Sequence, residues 1–212
     1  MKRNVLETIY SRLFQAFGPQ HWWPGDSPFE IAVGAILTQN TNWANVEKAI
    51  DNLKRDKSLS PTKLHRMSAL QLAGLIRPAG YFNIKAKRLK NFLDLLHEEY
   101  KGSMHKMRDD SLANVREKLL SVNGIGPETA DSITLYALEK PVFVIDAYTK
   151  RILSRHTIFA HDASYETYQE LFHEGLRKDV SLFNEYHALL VRLAKDFCRP
   201  APRCPGCPLE GI

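Results

Sequence analysis

The chain has few cysteines and no long apolar run. Three of its 212 residues are cysteine, and this small odd number is unlike the framework of a disulfide-rich secreted domain. The first segment, MKRNVLETIYSRLFQAF, alternates charged and apolar residues. It therefore lacks the continuous hydrophobic stretch of a signal peptide or a membrane span. These absences predict a soluble cytoplasmic protein with no membrane partner.

The sequence also lacks compositional bias and the strict alternation of half-buried strands. Hydrophobic residues make up 44% and charged residues 25%, which excludes a disordered or low-complexity chain. Apolar residues recur at helical spacing instead, as in Val5, Ile9, Leu13 and Phe17, so we predict an all-α fold. The net charge of +5 favours a polyanionic partner without proving one.

Several short motifs predict where helices begin. Ser27-Pro28-Phe29-Glu30 has the pattern of an N-cap, a proline in the first helical position and the glutamate of a capping box. Residues 29–37 are apolar on nearly all sides, which predicts a helix buried in the middle of a bundle. Further starts at Asn42, Ser60 and Ser68 predict short helices joined by short loops.

A basic cluster opens the helix predicted over residues 84–100. Lys85, Lys87, Arg88 and Lys90 lie in its first polar turns, opposite a continuous apolar face. Such clusters usually form a solvated surface, and we favour that interpretation over phosphate contacts.

A glycine-rich turn separates two predicted helices near residue 124. Asn123, Gly124, Ile125 and Gly126 form a segment that tolerates positive φ and exposes backbone N–H groups, and Pro127 suits the first position of the next helix. A turn of this kind at a helix N-terminus can bind a phosphate oxygen. It can equally be a plain helix–helix connection.

An aspartate ends the apolar run 141–145 just before another helical pattern. Asp146 is in the usual place of a helix cap, but a carboxylate there can also face a cationic transition state. Lys150, four residues later, suits a surface ion pair with Asp146. His187 has apolar helical neighbours and is predicted to be a satisfied core residue.

The hairpin and Asp146, together with Leu37-Thr38-Gln39-Asn40-Thr41 and the carboxyl-terminal cysteines, resemble the helix-hairpin-helix, Gly/Pro-Asp superfamily of DNA glycosylases. Endonuclease III is a member of that family. The resemblance covers nearly the whole chain and implies two helical lobes with an active cleft between them. One lobe is a helical barrel over residues 28–140 that contains the hairpin. The other is built from residues 1–27 and 141–212 and carries a cysteine loop.

The resemblance also implies a partner and a reaction. The partner is duplex DNA containing a damaged base, which is extruded before it is cleaved from the sugar, and the enzyme is expected to be a nucleoid-associated monomer. Asp146 would stabilise oxocarbenium character and help the attacking water. The hairpin residues 123–126 would bind DNA, and Gln39 would fill the vacated stack. Glu128 occupies the position of the lysine nucleophile of bifunctional members, which implies a monofunctional glycosylase with weak or absent lyase activity.

The tryptophans resemble those of one branch of the family. Trp22, Trp23 and Trp43 match aromatics of the 3-methyladenine glycosylase branch, which form the base pocket and attract a cationic alkylated purine. Ala35 replaces the acid of the adenine-mismatch branch and argues against that activity. Two alternatives stay open: a monofunctional uracil or thymine mismatch glycosylase, and a non-catalytic helix-hairpin-helix DNA-binding protein.

The cysteines resemble the family's iron–sulfur loop. Cys198, Cys204 and Cys207 match three of its four cysteines, and the resemblance implies a structural [4Fe–4S] cluster, with zinc as the alternative. A fourth cysteine would fall beyond Ile212, and the first gap is one residue shorter than in endonuclease III. Either the chain continues past Ile212 or the site is altered.

Overall fold

The computed structural model describes residues 2–22 and 25–212, without the side chains of Lys2 and Arg3. Every regular element in these ranges is helical, so the all-α prediction is confirmed. A 3₁₀ turn (Arg77–Ala79) follows α5, and a π-helical segment (Ile133–Ala137) continues α9. The α-helices are α1 (Lys2–Phe17), α2 (Pro28–Leu37), α3 (Trp43–Arg55), α4 (Pro61–Arg66), α5 (Ala69–Leu75), α6 (Phe82–Tyr100), α7 (Met104–Asp109), α8 (Leu112–Ser121), α9 (Pro127–Ser132), α10 (Ala147–Arg155), α11 (Tyr165–Gly175) and α12 (Val180–Asp196).

The chain divides into two compact units. The terminal unit comprises Met1–Trp22 and Pro141–Ile212, and the central unit comprises Trp23–Lys140. Helices α1 and α10 to α12 therefore belong to the terminal unit, and α2 to α9 belong to the central unit. None of the described helices is both long and apolar enough to cross a membrane.

Helix starts in the central unit follow the sequence motifs closely. Ser27 accepts the Glu30 amide at 3.2 Å and Pro28 opens α2, but only this half of the expected capping box forms. The Glu30 carboxylate instead binds Lys54 Nζ at 2.7 Å. The other three predicted N-caps are confirmed, with a complete capping box at the last of them; they are Asn42, Ser60 and Ser68.

Helix α2 lies in the core of the central unit, as its apolar sequence predicted. It contacts α3, α6, α9 and the π-helical segment. Its apolar side chains are buried on several sides: Phe29, Ile31, Ala32, Val33, Ile36 and Leu37. Burying this surface against several helices supplies much of the hydrophobic stabilisation of the unit.

Helix α1 packs on α11 and α12 in the terminal unit. Its buried stripe is Leu6, Ile9 and Leu13, whereas Val5 and Phe17 from the predicted stripe are only partly buried. The difference follows from helix geometry, because a strict four-residue spacing drifts around a helix that has 3.6 residues per turn.

Candidate active site

Asp146 caps helix α10 in the terminal unit. Its Oδ1 atom accepts the Thr149 backbone N–H at 2.7 Å, which satisfies one of the open amides of the helix N-terminus. The partial positive charge of that terminus favours an anion at this position. The cap predicted from sequence is therefore present, and Lys150 does not form the expected ion pair but donates to the Ala163 carbonyl at 3.1 Å.

The second carboxylate oxygen of Asp146 faces a histidine. His187 Nε2 on α12 lies 3.5 Å from Asp146 Oδ2, and the side chains are 8% and 14% exposed. The Trp22 ring lies beside this imidazole, with 6.0 Å between ring centroids. His187 is thus buried, as predicted. It also contacts the candidate catalytic carboxylate, which the sequence did not indicate.

Burial and hydrogen bonding act in opposite directions on Asp146. Burial is the largest single influence and would raise the pKa of the carboxyl. The contact with His187 and the hydrogen bond from the Thr149 amide together outweigh it and hold the pKa of Asp146 below its ordinary value. The group is therefore a carboxylate at neutral pH, as required of an anion that stabilises positive charge.

The segment 141–145, which precedes Asp146, has no regular secondary structure. Side chains of α11 take over its hydrogen bonds: the Phe143 amide donates to His173 Nε2 at 2.9 Å, and Gln169 Nε2 donates to the Phe143 carbonyl at 2.7 Å. The Ile145 amide donates to the Tyr165 hydroxyl at 3.2 Å. We call Tyr165, Gln169 and His173 the α11 ladder.

Aromatic packing around the Phe143 side chain also holds this segment in place. The Phe143 ring stacks on Phe172 with 3.7 Å between centroids and 8° between planes, and it meets Phe183 and Tyr186 edge-on. With its backbone and its side chain both held, the segment leaves the carboxylate of Asp146 little freedom to move. Preorganisation of this kind is what electrostatic catalysis requires.

The glycine-rich turn forms a helix-hairpin-helix in the central unit. Helix α8 ends at Ser121, Gly124 adopts a φ of +96°, and α9 begins at Pro127 after Gly126. Ile125 is buried, and its amide donates to the Val122 carbonyl at 3.0 Å. Arg116 of α8 makes a two-point ion pair with the fully buried Asp131 of α9, with Nε–Oδ1 at 2.7 Å. This pair ties the two helices together.

Gln39 is held against the hairpin. Its Nε2 donates to the Gly124 carbonyl at 3.0 Å and to Thr129 Oγ1 at 2.9 Å. Its Oε1 accepts a short hydrogen bond from Arg88. The structure therefore brings the predicted wedge residue together with the predicted DNA-binding turn.

The basic cluster of α6 is only in part the solvated face that the sequence indicated. Lys85 is buried, and its ammonium donates to the Leu37 and Ala79 carbonyls at 2.8 Å each. Burial, with the neighbouring Arg88, lowers the pKa of Lys85. Lys90 donates to carbonyls at the end of α4, while Lys87 is exposed. The prediction is wrong for Lys85, because its ammonium group is buried and donates hydrogen bonds to backbone carbonyls inside the unit.

The remaining predicted site residues are spread over the central unit. Trp43 packs on Gly34 and donates to Glu47 at 3.0 Å, and it lines an open cavity of about 350 Å³. Glu128 is exposed in the first turn of α9. Trp23 lies outside the described residues, so its predicted role in the base pocket stays a prediction.

The cysteine loop is held by arginines of α10. Arg151 donates to the Cys198 carbonyl at 2.8 Å, and Arg155 donates to Cys198 Sγ at 3.4 Å and to the Pro200 carbonyl at 2.8 Å. Cys198 is buried, Cys204 is exposed, and burial raises the pKa of the Cys207 thiol.

A four-thiolate cluster does not fit the donors that are described. Within residues 2–22 and 25–212, no group of three or more histidine, cysteine or acidic side chains could hold a metal ion. The three cysteines lack a fourth cysteine in this chain. The [4Fe–4S] cluster and its zinc alternative stay predictions.

Comparison with known proteins gives a consistent picture. Residues 33–178 match the family described as "HhH-GPD superfamily base excision DNA repair protein". A protein of Methanocaldococcus jannaschii that is named as a DNA repair glycosylase, MJ1434, is 47% identical over 99% of this chain and 97% of its own. Endonuclease III of Thermotoga maritima is 28% identical over 97% of this chain and 91% of its own.

One similar solved structure has a bound base. It is the 3-methyladenine DNA glycosylase MagIII of H. pylori in complex with 1,N6-ethenoadenine, with a TM-score of 0.78 and 28% identity. The match covers 92% of this chain and 97% of that one. The similarity therefore extends over both units of the fold.

Proposed function

The chain belongs to the HhH-GPD superfamily of base excision DNA repair proteins as a DNA glycosylase, and we propose that it is a monofunctional enzyme that removes alkylated purines. The observation that carries the proposal is Asp146, a partly buried carboxylate held ionised at the N-terminus of α10. Cleavage of an N-glycosidic bond develops positive charge on the sugar. A fixed anion stabilises that charge without reorganising during the reaction.

The proposed reaction is hydrolysis. Water attacks the anomeric carbon while the bond to the base breaks, and the electron pair of that bond leaves with the base. The proton that the water loses passes by way of Asp146 to solvent. Asp146 orients the water and stabilises the oxocarbenium character of the sugar. An amide at position 146 would keep the helix cap but lose the charge.

The proposal of a monofunctional enzyme rests on Glu128. A Schiff base with the sugar requires an amine, and a carboxylate stands at the position that resembles the family's nucleophilic lysine. We therefore expect base release without strand cleavage.

The substrate proposal rests on charge and on aromatic surface. A cationic alkylated purine leaves as a neutral base and needs no general acid. Trp22, beside His187 in the terminal unit, offers an electron-rich face of the kind that attracts such a base. The similarity to a 3-methyladenine glycosylase supports the same substrate class.

The proposed partner is duplex DNA that contains a damaged base. The hairpin residues 123–126 would contact a phosphate, and the net charge of +5 would assist binding. We propose that the protein acts as a monomer. No step of the proposed reaction involves the cysteine loop.

The experiment that tests this function is base-release analysis on duplexes that each carry one defined lesion, with strand cleavage measured on the same samples. We expect release of 3-methyladenine and intact abasic strands. Release of uracil or thymine from mismatches without alkylpurine release would favour the pyrimidine alternative. Binding without release of any base would favour a non-catalytic DNA-binding protein.

A pair of aspartates provides a matched control. Asp146→Asn should bind the lesion duplex and release no base, because an asparagine still caps α10. Asp179 caps α12 in the same way, with Oδ1 accepting the Leu182 amide at 2.9 Å. Asp179→Asn should therefore retain base release. Full turnover by Asp146→Asn would remove this residue from the mechanism.

A further inference from the structure

His187 lies beside the carboxylate of Asp146 in the terminal unit, and it has no role in the proposed reaction itself. We propose that His187 is a positioning residue, which holds Asp146 Oδ2 in place and keeps this carboxylate negatively charged for the hydrolysis. The inference rests on the proposed function. It assigns a task to a side chain that the sequence predicted to be ordinary core.

Each oxygen of the Asp146 carboxylate contacts a residue of a different helix. Thr149 of α10 donates its amide to Oδ1 at 2.7 Å, and His187 of α12 faces Oδ2 at 3.5 Å. A carboxylate held at one oxygen can still rotate about its Cβ–Cγ bond. A second contact at Oδ2 restricts that rotation, and with it the direction in which the negative charge points.

The imidazole itself has little room to move. The Trp22 ring centroid lies 6.0 Å from that of His187, and the Phe143 ring meets it edge-on at 6.4 Å. Apolar neighbours also lower the local dielectric, which strengthens the interaction with Asp146. The same apolar surroundings make an uncompensated carboxylate costly.

Other charged groups on the surrounding helices have contacts elsewhere. On α10, Lys150 donates to the Ala163 carbonyl, and Arg151 donates to the Cys198 carbonyl. On α12, Glu185 accepts the Gln20 amide.

Two further titratable or charged side chains on neighbouring helices also have their own partners. Arg192 of α12 lies near Asp196 and donates to Gln20. His173 of α11 accepts the Phe143 amide. The contacts described for Asp146 thus leave His187 as the cation-forming side chain within reach of its carboxylate.

Without the imidazole, the contact with Thr149 alone would oppose the effect of burial on the pKa of Asp146. Burial raises the pKa of Asp146, and the contact with His187 is the largest of the opposing influences. Without His187 the carboxyl would therefore take up a proton at a higher pH. A protonated carboxyl cannot stabilise an oxocarbenium ion, so base release would fail over a wider acidic range.

The test is the pH profile of single-turnover base release by the full chain and by His187→Gln. Glutamine keeps a polar side chain at this position, but it carries no charge. We expect the acidic limb to move to higher pH by about one unit, which is about a tenfold slower release on that limb, with duplex affinity unchanged. His105→Gln is the matched control, because His105 is an exposed residue of the central unit that pairs with Asp109. Its profile should equal that of the wild type.

The outcomes separate positioning from folding. A loss of folded protein would lower the rate equally at every pH, and thermal unfolding would detect it; His187→Asn then serves as the second variant. An unmoved acidic limb in a folded variant would overturn the proposal. If the wild type releases no base at all, the proposed function fails, and NMR titration of the Asp146 carboxyl still tests the pair. A raised Asp146 pKa in His187→Gln supports it, and an unchanged one refutes it.

Discussion

Arg88 lies directly across the backbone of Gly124. A Cβ atom at Gly124 would be 2.3 Å from Arg88 Cγ and 2.8 Å from Cδ. The same arginine hydrogen-bonds to Gln39, whose amide nitrogen donates to the Gly124 carbonyl. Arginine, glutamine and hairpin therefore form one interlocked group in the central unit.

Gly124→Ala should break this group. The added methyl must displace Arg88, and the φ of +96° strains any residue with a Cβ. We expect a loss of about 1–3 kcal/mol in the free energy of unfolding, together with weaker binding of a lesion duplex. Denaturant unfolding and duplex titration measure the two effects. Gly74→Ala in α5, where a Cβ meets nothing within 4 Å, is the control and should not destabilise.

Arg116→Met should destabilise the helix-hairpin-helix strongly. The substitution leaves the fully buried carboxylate of Asp131 without its arginine, and breaking one side of a buried ion pair costs about 3–5 kcal/mol. Denaturant unfolding checks this value. Asp109→Asn removes an exposed pair with His105 and should change the unfolding free energy by about 0–1 kcal/mol. Equal effects of the two substitutions would contradict the prediction.

Asp110 should contribute stability that disappears in acid. The side-chain amide of Asn114 and, secondarily, the Tyr100 hydroxyl lower its pKa from 3.8 to about 2. Because the folded-state pKa is the lower one, the contribution is present above the ordinary value and is lost as the pH falls towards about 2. The stability difference between the wild type and Asp110→Asn should shrink over that interval. A stability difference that stays constant over this interval would contradict the prediction.

We expect hydrogen bonds from arginine side chains, rather than the thiols, to stabilise the cysteine loop. Arg155→Ala removes hydrogen bonds to Cys198 Sγ and the Pro200 carbonyl, and should lower the melting temperature and increase hydrogen exchange in residues 198–204. The double variant Cys204→Ser, Cys207→Ser should melt like the wild type. A lower melting temperature for that variant, with iron or zinc in the purified wild-type protein, would show that a metal stabilises the loop.

Local signals in the sequence predict much of the fold. Ser27, Asn42, Ser60 and Ser68 each accept a hydrogen bond from a backbone amide three residues ahead, so their role depends only on nearby residues. The cap at Asp146 is equally local. For the same reason, the apolar sequence of α2 is enough to predict its burial.

The second layer of contacts around the site could not be predicted in this way. His187 meets Asp146 across 41 positions of sequence, and Lys85 meets the Leu37 carbonyl across 48. Periodicity indicates which face of a helix is buried, but it does not reveal the partner of a polar side chain on that face. One usable signal was present in the α11 ladder, because Tyr165, Gln169 and His173 recur every four residues on a helix that also carries apolar residues.

The α11 ladder has a consequence for solubility as well as for position. The segment Val142-Phe143-Val144-Ile145 is apolar, rich in β-branched residues and outside any helix, and a sequence of this kind is typical of an aggregation-prone strand. Hydrogen bonds to Tyr165, Gln169 and His173 occupy backbone groups that could otherwise recruit a strand from another molecule. Helix α11 thereby protects the chain against edge-to-edge association at the segment that precedes Asp146.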